Sequence, residues 1–172
     1  MALPISRNET YGVNSPVKSA DLNDIQDNII AGKHGAIDVM LHPTPSEVIS
    51  GSATRNINHW LYSSGTVVIG HPIDLPVGTR VDAIKVYCEQ STDDQVSAEP
   101  FKTDVDTDVT ADSIAASKLS GAGAGHKEID FTSADSGIPF TITAGKTYHL
   151  KISLLAGAAT RYKGTKLTIV KP

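Results

Sequence analysis

The sequence predicts a mainly β protein, an antiparallel β-sandwich preceded by an extended arm and one short helix. Three observations predict it. Short alternating or β-branched runs recur along the chain, Gly, Pro and Asp turns space them, and no helical period lies between them. The one helical stripe is confined to the N-terminal region. This divides the 172 residues into 1–35, an arm and helix for attachment or oligomerisation, and 36–172, the sandwich.

The arm runs from Met1 to Pro16, holds Pro4 and Pro16, and shows no period. Leu3, Ile5, Tyr11 and Val13 make it more apolar than a free tail, so it is expected to dock on something. The helix follows. Ser19 is its N-cap, Asp21 and Asp24 sit in the first turn where the dipole favours anions, and Gly32 stops it. Leu22, Ile25 and Ile29 fall on one narrow stripe. Such a short helix is marginal alone in water, so these three residues are the candidate assembly contacts.

Strands begin after Ala36. Thr66 to Ile69 is a β-branched run ended by His71-Pro72, and PIDLPVG (72–78) is turn-forming. In Thr79 to Glu89 the apolar phase slips by one residue between Ala83 and Ile84. That slip predicts a β-bulge or a strand buried on both faces. Ser97 to Val109 reads as one or two strands with Phe101 as an anchor and Pro100 at an edge. Ala111 to Leu119 reads as a helical turn, and Gly121 to Gly125 (GAGAG) as a flexible surface loop. Ile138, Phe140 and Ile142 alternate, as do Tyr148, Leu150, Ile152 and Leu154. With Ala144-Gly145-Lys146 between them, the two runs predict a hairpin that fills one core. Leu167 to Val170 forms the last strand.

Composition narrows the function. With 15 basic and 19 acidic residues the net charge is −4, which supplies no basic face for nucleic acid. No run reaches the ~18 apolar residues of a membrane span. Met1 to Thr10 has no signal-like apolar core, so synthesis in a cytoplasm is expected. The single cysteine, Cys88, excludes an internal disulfide, and among Ile84, Val86 and Tyr87 it reads as a buried inert thiol.

Catalytic signatures are missing: there is no G-x-S-x-G, P-loop, dinucleotide fingerprint or H-E-x-x-H. GAGAG lacks the Lys-Ser/Thr ending and the following helix that phosphate binding needs. An enzyme is therefore not expected, nor is a cofactor. Asp104, Asp106 and Asp108 are the nearest approach to a Ca²⁺ set. However, Val109 and Ala115 stand where an EF-hand loop needs Gly and Glu, and alternation puts the carboxylates on a solvated strand face. The six histidines show no metal-ligand spacing, and His149 is expected on an exposed face. Trp60 and Tyr62, beside His59, suit a sugar-stacking platform, although a lone tryptophan in a sandwich is more often a core or interface anchor.

Two parts of the chain carry a resemblance. Ala20, Leu22, Asn23, Ile25, Gln26, Asp27 and Ile29, behind a Pro-containing arm, resemble the N-terminal region of bacteriophage and prophage structural proteins. PIDLPVGTRVDAIKVYCE (72–89) and FTITAGKTYHLKISLLAG (140–157) resemble paired strands of the jelly-roll-like sandwiches in phage fibres and appendages. The resemblance implies a virion component: a capsid decoration, head fibre or tail appendage, as a homotrimer contacting capsid or tail proteins. Its sandwich would serve stabilisation or binding to a host-surface glycan. The alternative is a free carbohydrate-binding β-sandwich module.

Overall fold

A computed structural model describes residues 35–55, 61–62, 65–106, 111–155 and 160–172, with only the backbone for Tyr62. The expected arm and helix, with Leu22, Ile25 and Ile29, lie outside the described residues. The first strands are β1 (Ile37–Leu41), β2 (Glu47–Ser50), β3 (Thr54–Arg55), β4 (Leu61–Tyr62), β5 (Val67–Pro72), β6 (Arg80–Gln90) and β7 (Val96–Asp104). After them come β8 (Asp112–Ser113), β9 (Lys118–Leu119), β10 (Gly125–Phe131), β11 (Phe140–Thr141), β12 (Lys146–Leu154) and β13 (Arg161–Val170).

Period-2 burial sorts these strands into two antiparallel layers. Sheet A has the order β10-β6-β13-β4-β3, with β1 also on β13 and β11 on β6. Sheet B has the order β2-β5-β12-β7-β8, with β9 also on β7. Inward residues of both sheets form one core, Ile84, Val86, Phe131 and Leu167 from sheet A and Ile69, Val96, Leu150 and Ile152 from sheet B. Each such side chain stabilises the fold by about 1.5–3 kcal/mol through removal from water. The expected antiparallel β-sandwich is the observed architecture.

The phase slip in β6 is a bulge. Thr168 faces Ala83 and Ile169 faces Val81, so Asp82 is the extra residue. Val81 therefore points inward together with Ile84, Val86, Cys88 and Gln90.

The expected hairpin is not formed. β11 pairs with β6 in sheet A, whereas β12 lies between β5 and β7 in sheet B. The turn through Gly145 (φ 74°) carries the chain from one sheet to the other. Burial follows the expectation more closely: Ile142, Leu150 and Ile152 are buried, while Phe140 is half-buried and stacks on Tyr148. Alternation reports which face a side chain occupies, and both runs face one core from opposite sheets.

Three further expectations change. Ala111 to Leu119 contains the short strands β8 and β9 in place of a helical turn. β7 ends at Asp104, so the strand face expected for the three aspartates does not extend to Asp106. Val105 and Asp106 are exposed in a turn. The glycine loop lies at the surface as expected, but it is clamped. The Gln90 amide donates to the carbonyls of Gly121 (2.6 Å) and Gly123 (2.7 Å), and its oxygen accepts from Ser120 Oγ and the Gln95 N–H (3.2 Å). Every hydrogen-bonding site of this buried amide is thus used. Positive φ at Gly121, Gly123 and Gly125 lets the loop turn its carbonyls toward Gln90.

Pro100, expected at an edge, instead lies on a strand paired on both sides. Its carbonyl accepts from Ile114 N–H on the side away from β12, so its missing N–H removes no bond to β12. Cys88 is 1% exposed, and burial pushes its thiol up to about 12. In the native protein Cys88 should resist alkylation until the chain unfolds. A labelling time course that shows a fast stoichiometric phase without denaturant would contradict this.

Candidate functional site

The outward residues of sheet B form ordered rows, because directly opposed residues in antiparallel strands share a face. His149 on β12 faces Pro72 on β5 and Phe101 on β7. The three side chains therefore make a row of rings across three strands. Phe101 and His149 are stacked, with centroids 5.6 Å apart and planes 11° from parallel. The next row joins Glu47, Gly70, Lys151 and Glu99. Lys151 Nζ lies 5.5 Å from the Phe101 ring centroid and 3.9 Å from the Glu99 carboxylate. Beyond these lie Ser97 and Ser153, opposite each other, and on the other side Thr103 and Thr147.

A notch opens beside the rings. It encloses about 280 Å³ and is lined by Glu47, Ile49, Gly70, Pro72 and His149. Glycine leaves this space free, since a Cβ at position 70 would reach to 3.1 Å from Ile49 Cδ1. Burial lowers the pKa of His149, so at neutral pH its ring offers one N–H donor and one nitrogen acceptor. The face thus combines a phenyl and a proline ring with a half-buried imidazole, a small recess, and charged and hydroxyl groups at the margins.

A second cleft of about 620 Å³ lies at one end of the sandwich, between Met40, Leu41, Ile73, Leu75, Ile142 and Tyr148. His71 reaches its wall. This side chain is fully buried, and Ser46 Oγ (2.6 Å) and Tyr162 Oη (3.1 Å) both contact its Nδ1. Burial holds His71 down at about 4, so it is a poor general base, and its Nε2 is a buried nitrogen with no protein partner. The Ser46–His71 contact reads as a buried polar anchor.

The sites expected from sequence distribute as follows. Trp60 and Asp108 lie outside the described residues. Tyr62 has its backbone in β4, opposite Arg161 on one side and Thr54 on the other. Asp104 forms an ion pair with Lys146 at 2.7 Å, and Asp106 is exposed. Among the described residues, no three His, Cys, Asp or Glu side chains gather as a metal-binding group. Phe101, expected as an anchor, is half-buried on the outer face, and His149, expected to be exposed, is half-buried against it. The row of rings was missed because it joins three residues distant in sequence. The signal present was phase: Val96 and Ala98 alternate inward, which leaves Phe101 out of phase with them.

No protein-family model matches the chain, and no curated protein matches it. Among solved structures, the chain is similar to TmCBM61 in complex with β-1,4-galactotriose, at 7% identity and a TM-score of 0.40. That match covers 80% of this chain and 89% of the other. It is similar to the C-terminal CBM6 of LamC, a marine laminarinase from Zobellia galactanivorans, at 13% identity and a TM-score of 0.42, covering 77% and 99%. The enzymatically active domain of bacteriophage CBA120 tailspike protein 4 is similar at 12% identity and a TM-score of 0.31, covering 78% and 19%. The class defined by this chain's own strand pairing is the antiparallel β-sandwich.

Proposed function

We propose that this chain is a non-enzymatic binding subunit whose sandwich holds a carbohydrate on the outer face of sheet B. The observation that carries the reading is the row Pro72–His149–Phe101. A pyranose presents C–H groups on one face and hydroxyls at its rim. The exposed parts of the row's rings suit the former, and flanking Ser, Thr, Lys and Glu side chains suit the latter. A ring pair of this kind also stabilises a sheet, by about 0.2–1 kcal/mol for a cross-strand pair. The two roles separate experimentally.

Phe101→Ala should leave the fold intact, with a loss within about 1 kcal/mol, while abolishing retention of the protein on immobilised glycans. Screening the full chain and this variant on a glycan array, with thermal melts alongside, measures both. A wild-type chain that binds no glycan, or a variant that binds as well as wild type, overturns the reading.

The N-terminal segment adds a setting. Ala20 to Ile29 resembles the N-terminal region of phage structural proteins, which supports a virion subunit: a capsid decoration, head fibre or tail appendage displaying the sandwich outward. In that setting Leu22, Ile25 and Ile29 make the contacts of a homotrimer or of a capsid or tail partner. Mass measurement of the purified chain tests the trimer, and a monomer would count against it.

A further inference from the structure

The notch beside the rings has a chemistry narrower than that of a general sugar site. It is lined by Gly70, by the apolar Ile49 and Pro72, and by Glu47 and His149, the two residues that can supply polar groups. A sugar hydroxyl could donate to Glu47 and accept from His149, but it would leave the apolar walls against water. A sugar carboxylate would meet Glu47 with like charge, and Lys151, opposite Gly70, is engaged by Phe101 and Glu99. An acetamido group uses every part: its N–H needs an acceptor, its carbonyl needs a donor, and its methyl needs apolar contact.

We infer that the Gly70 notch receives the acetamido group of an N-acetylated amino sugar stacked on the Pro72–His149–Phe101 row. This rests on the carbohydrate reading above and specifies its ligand class. Glu47 accepts the amide hydrogen, His149 donates to the amide carbonyl, and Ile49 and Pro72 cover the methyl. The neutral imidazole can donate from either ring nitrogen. Gly70 is what makes the space. An added Cβ meets only the Ile49 side chain, and the backbone at this position has no positive φ, so a larger residue fills the notch without backbone strain.

The test compares two β-1,4-linked trisaccharides that differ in the acetamido group, chitotriose in its N-acetylated form and cellotriose, by titration calorimetry on the full chain. Wild type should prefer the acetylated ligand by about tenfold or more. Gly70→Val should reduce that preference to about twofold or less while still binding cellotriose. Glu47→Ala, an exposed edge-strand change that guards against misfolding of the first variant, should weaken the acetylated ligand selectively. Equal wild-type affinity for both trisaccharides, or a Gly70→Val protein that keeps the preference, overturns the inference and leaves the carbohydrate reading standing. Binding of neither ligand overturns the inference, and it overturns that reading as well if the glycan array is also blank.

Discussion

Leu150→Ala should destabilise the protein by about 2–5 kcal/mol, measured as a fall in the denaturation midpoint at unchanged slope. Leu150 is fully buried on β12, with His71 opposite it on β5 and Pro100 on β7. It projects from the middle of sheet B into the core shared with sheet A. Neighbours on the two flanking strands limit how far the site can collapse, and the cost of a cavity rises with the volume that stays empty. The neighbouring Lys151 points to the opposite face, so Lys151→Ala should have a far smaller effect and serves as a control. A loss below about 1 kcal/mol for Leu150→Ala would show that the two sheets do not share the close-packed core described here.

Acid should weaken the fold before the carboxylates titrate. The pKa of His71 is about 4 in the folded protein, lowered by burial from an ordinary 6.5. Between those two values the unfolded chain binds the proton and the folded chain does not. Stability is therefore complete above about pH 6.5 and falls progressively as pH drops to about 4. The size of the effect is about 3 kcal/mol at the low end of that window. His149, also lowered by burial, adds to the effect with the same sign. Groups with depressed acidic pKa values act at lower pH. Asp38 is held down by its hydrogen bonds from Thr168 and Lys166, and Glu89 by Lys163, and the stability they contribute is lost only as pH falls through the carboxylate range. Unfolding free energy measured from pH 7.5 to 4 should thus slope in the wild type and lose most of that slope in His71→Gln. A flat wild-type profile between pH 6.5 and 4 would mean that His71 is not buried as a neutral ring.

Much of the sandwich was legible in the sequence, and the reason can be stated residue by residue. Tyr148, Leu150, Ile152 and Leu154 alternate, and all four are buried in β12. The one-residue slip before Ile84 marked the Asp82 bulge, because a bulge is a local event written in local phase. Pairing partners were less legible. Phe140 and Tyr148 lie on either side of a good turn, yet β11 joins β6 while β12 joins β5 and β7. A turn joins consecutive strands equally well within a sheet or across the sandwich, and the choice depends on long-range packing. The ring row fell in the same gap. Pro72, Phe101 and His149 each look unremarkable alone, and only the register of three strands brings them together. The clamp on the glycine loop was hidden for the same reason, since Gln90 reaches Gly121 and Gly123 across about thirty residues of chain.

Ligand should meet the protein on the outer face of sheet B, and amide chemical-shift mapping of the full chain tests this most directly. Titrating in a glycan identified on the array should move the amides of His149, Lys151, Phe101 and Gly70 in a saturable way. Residues on the outer face of sheet A, such as Lys85, Glu128 and Lys166, should stay still. Perturbations centred on sheet A or on the end cleft around Leu75 and Ile142, with sheet B unmoved, would contradict it.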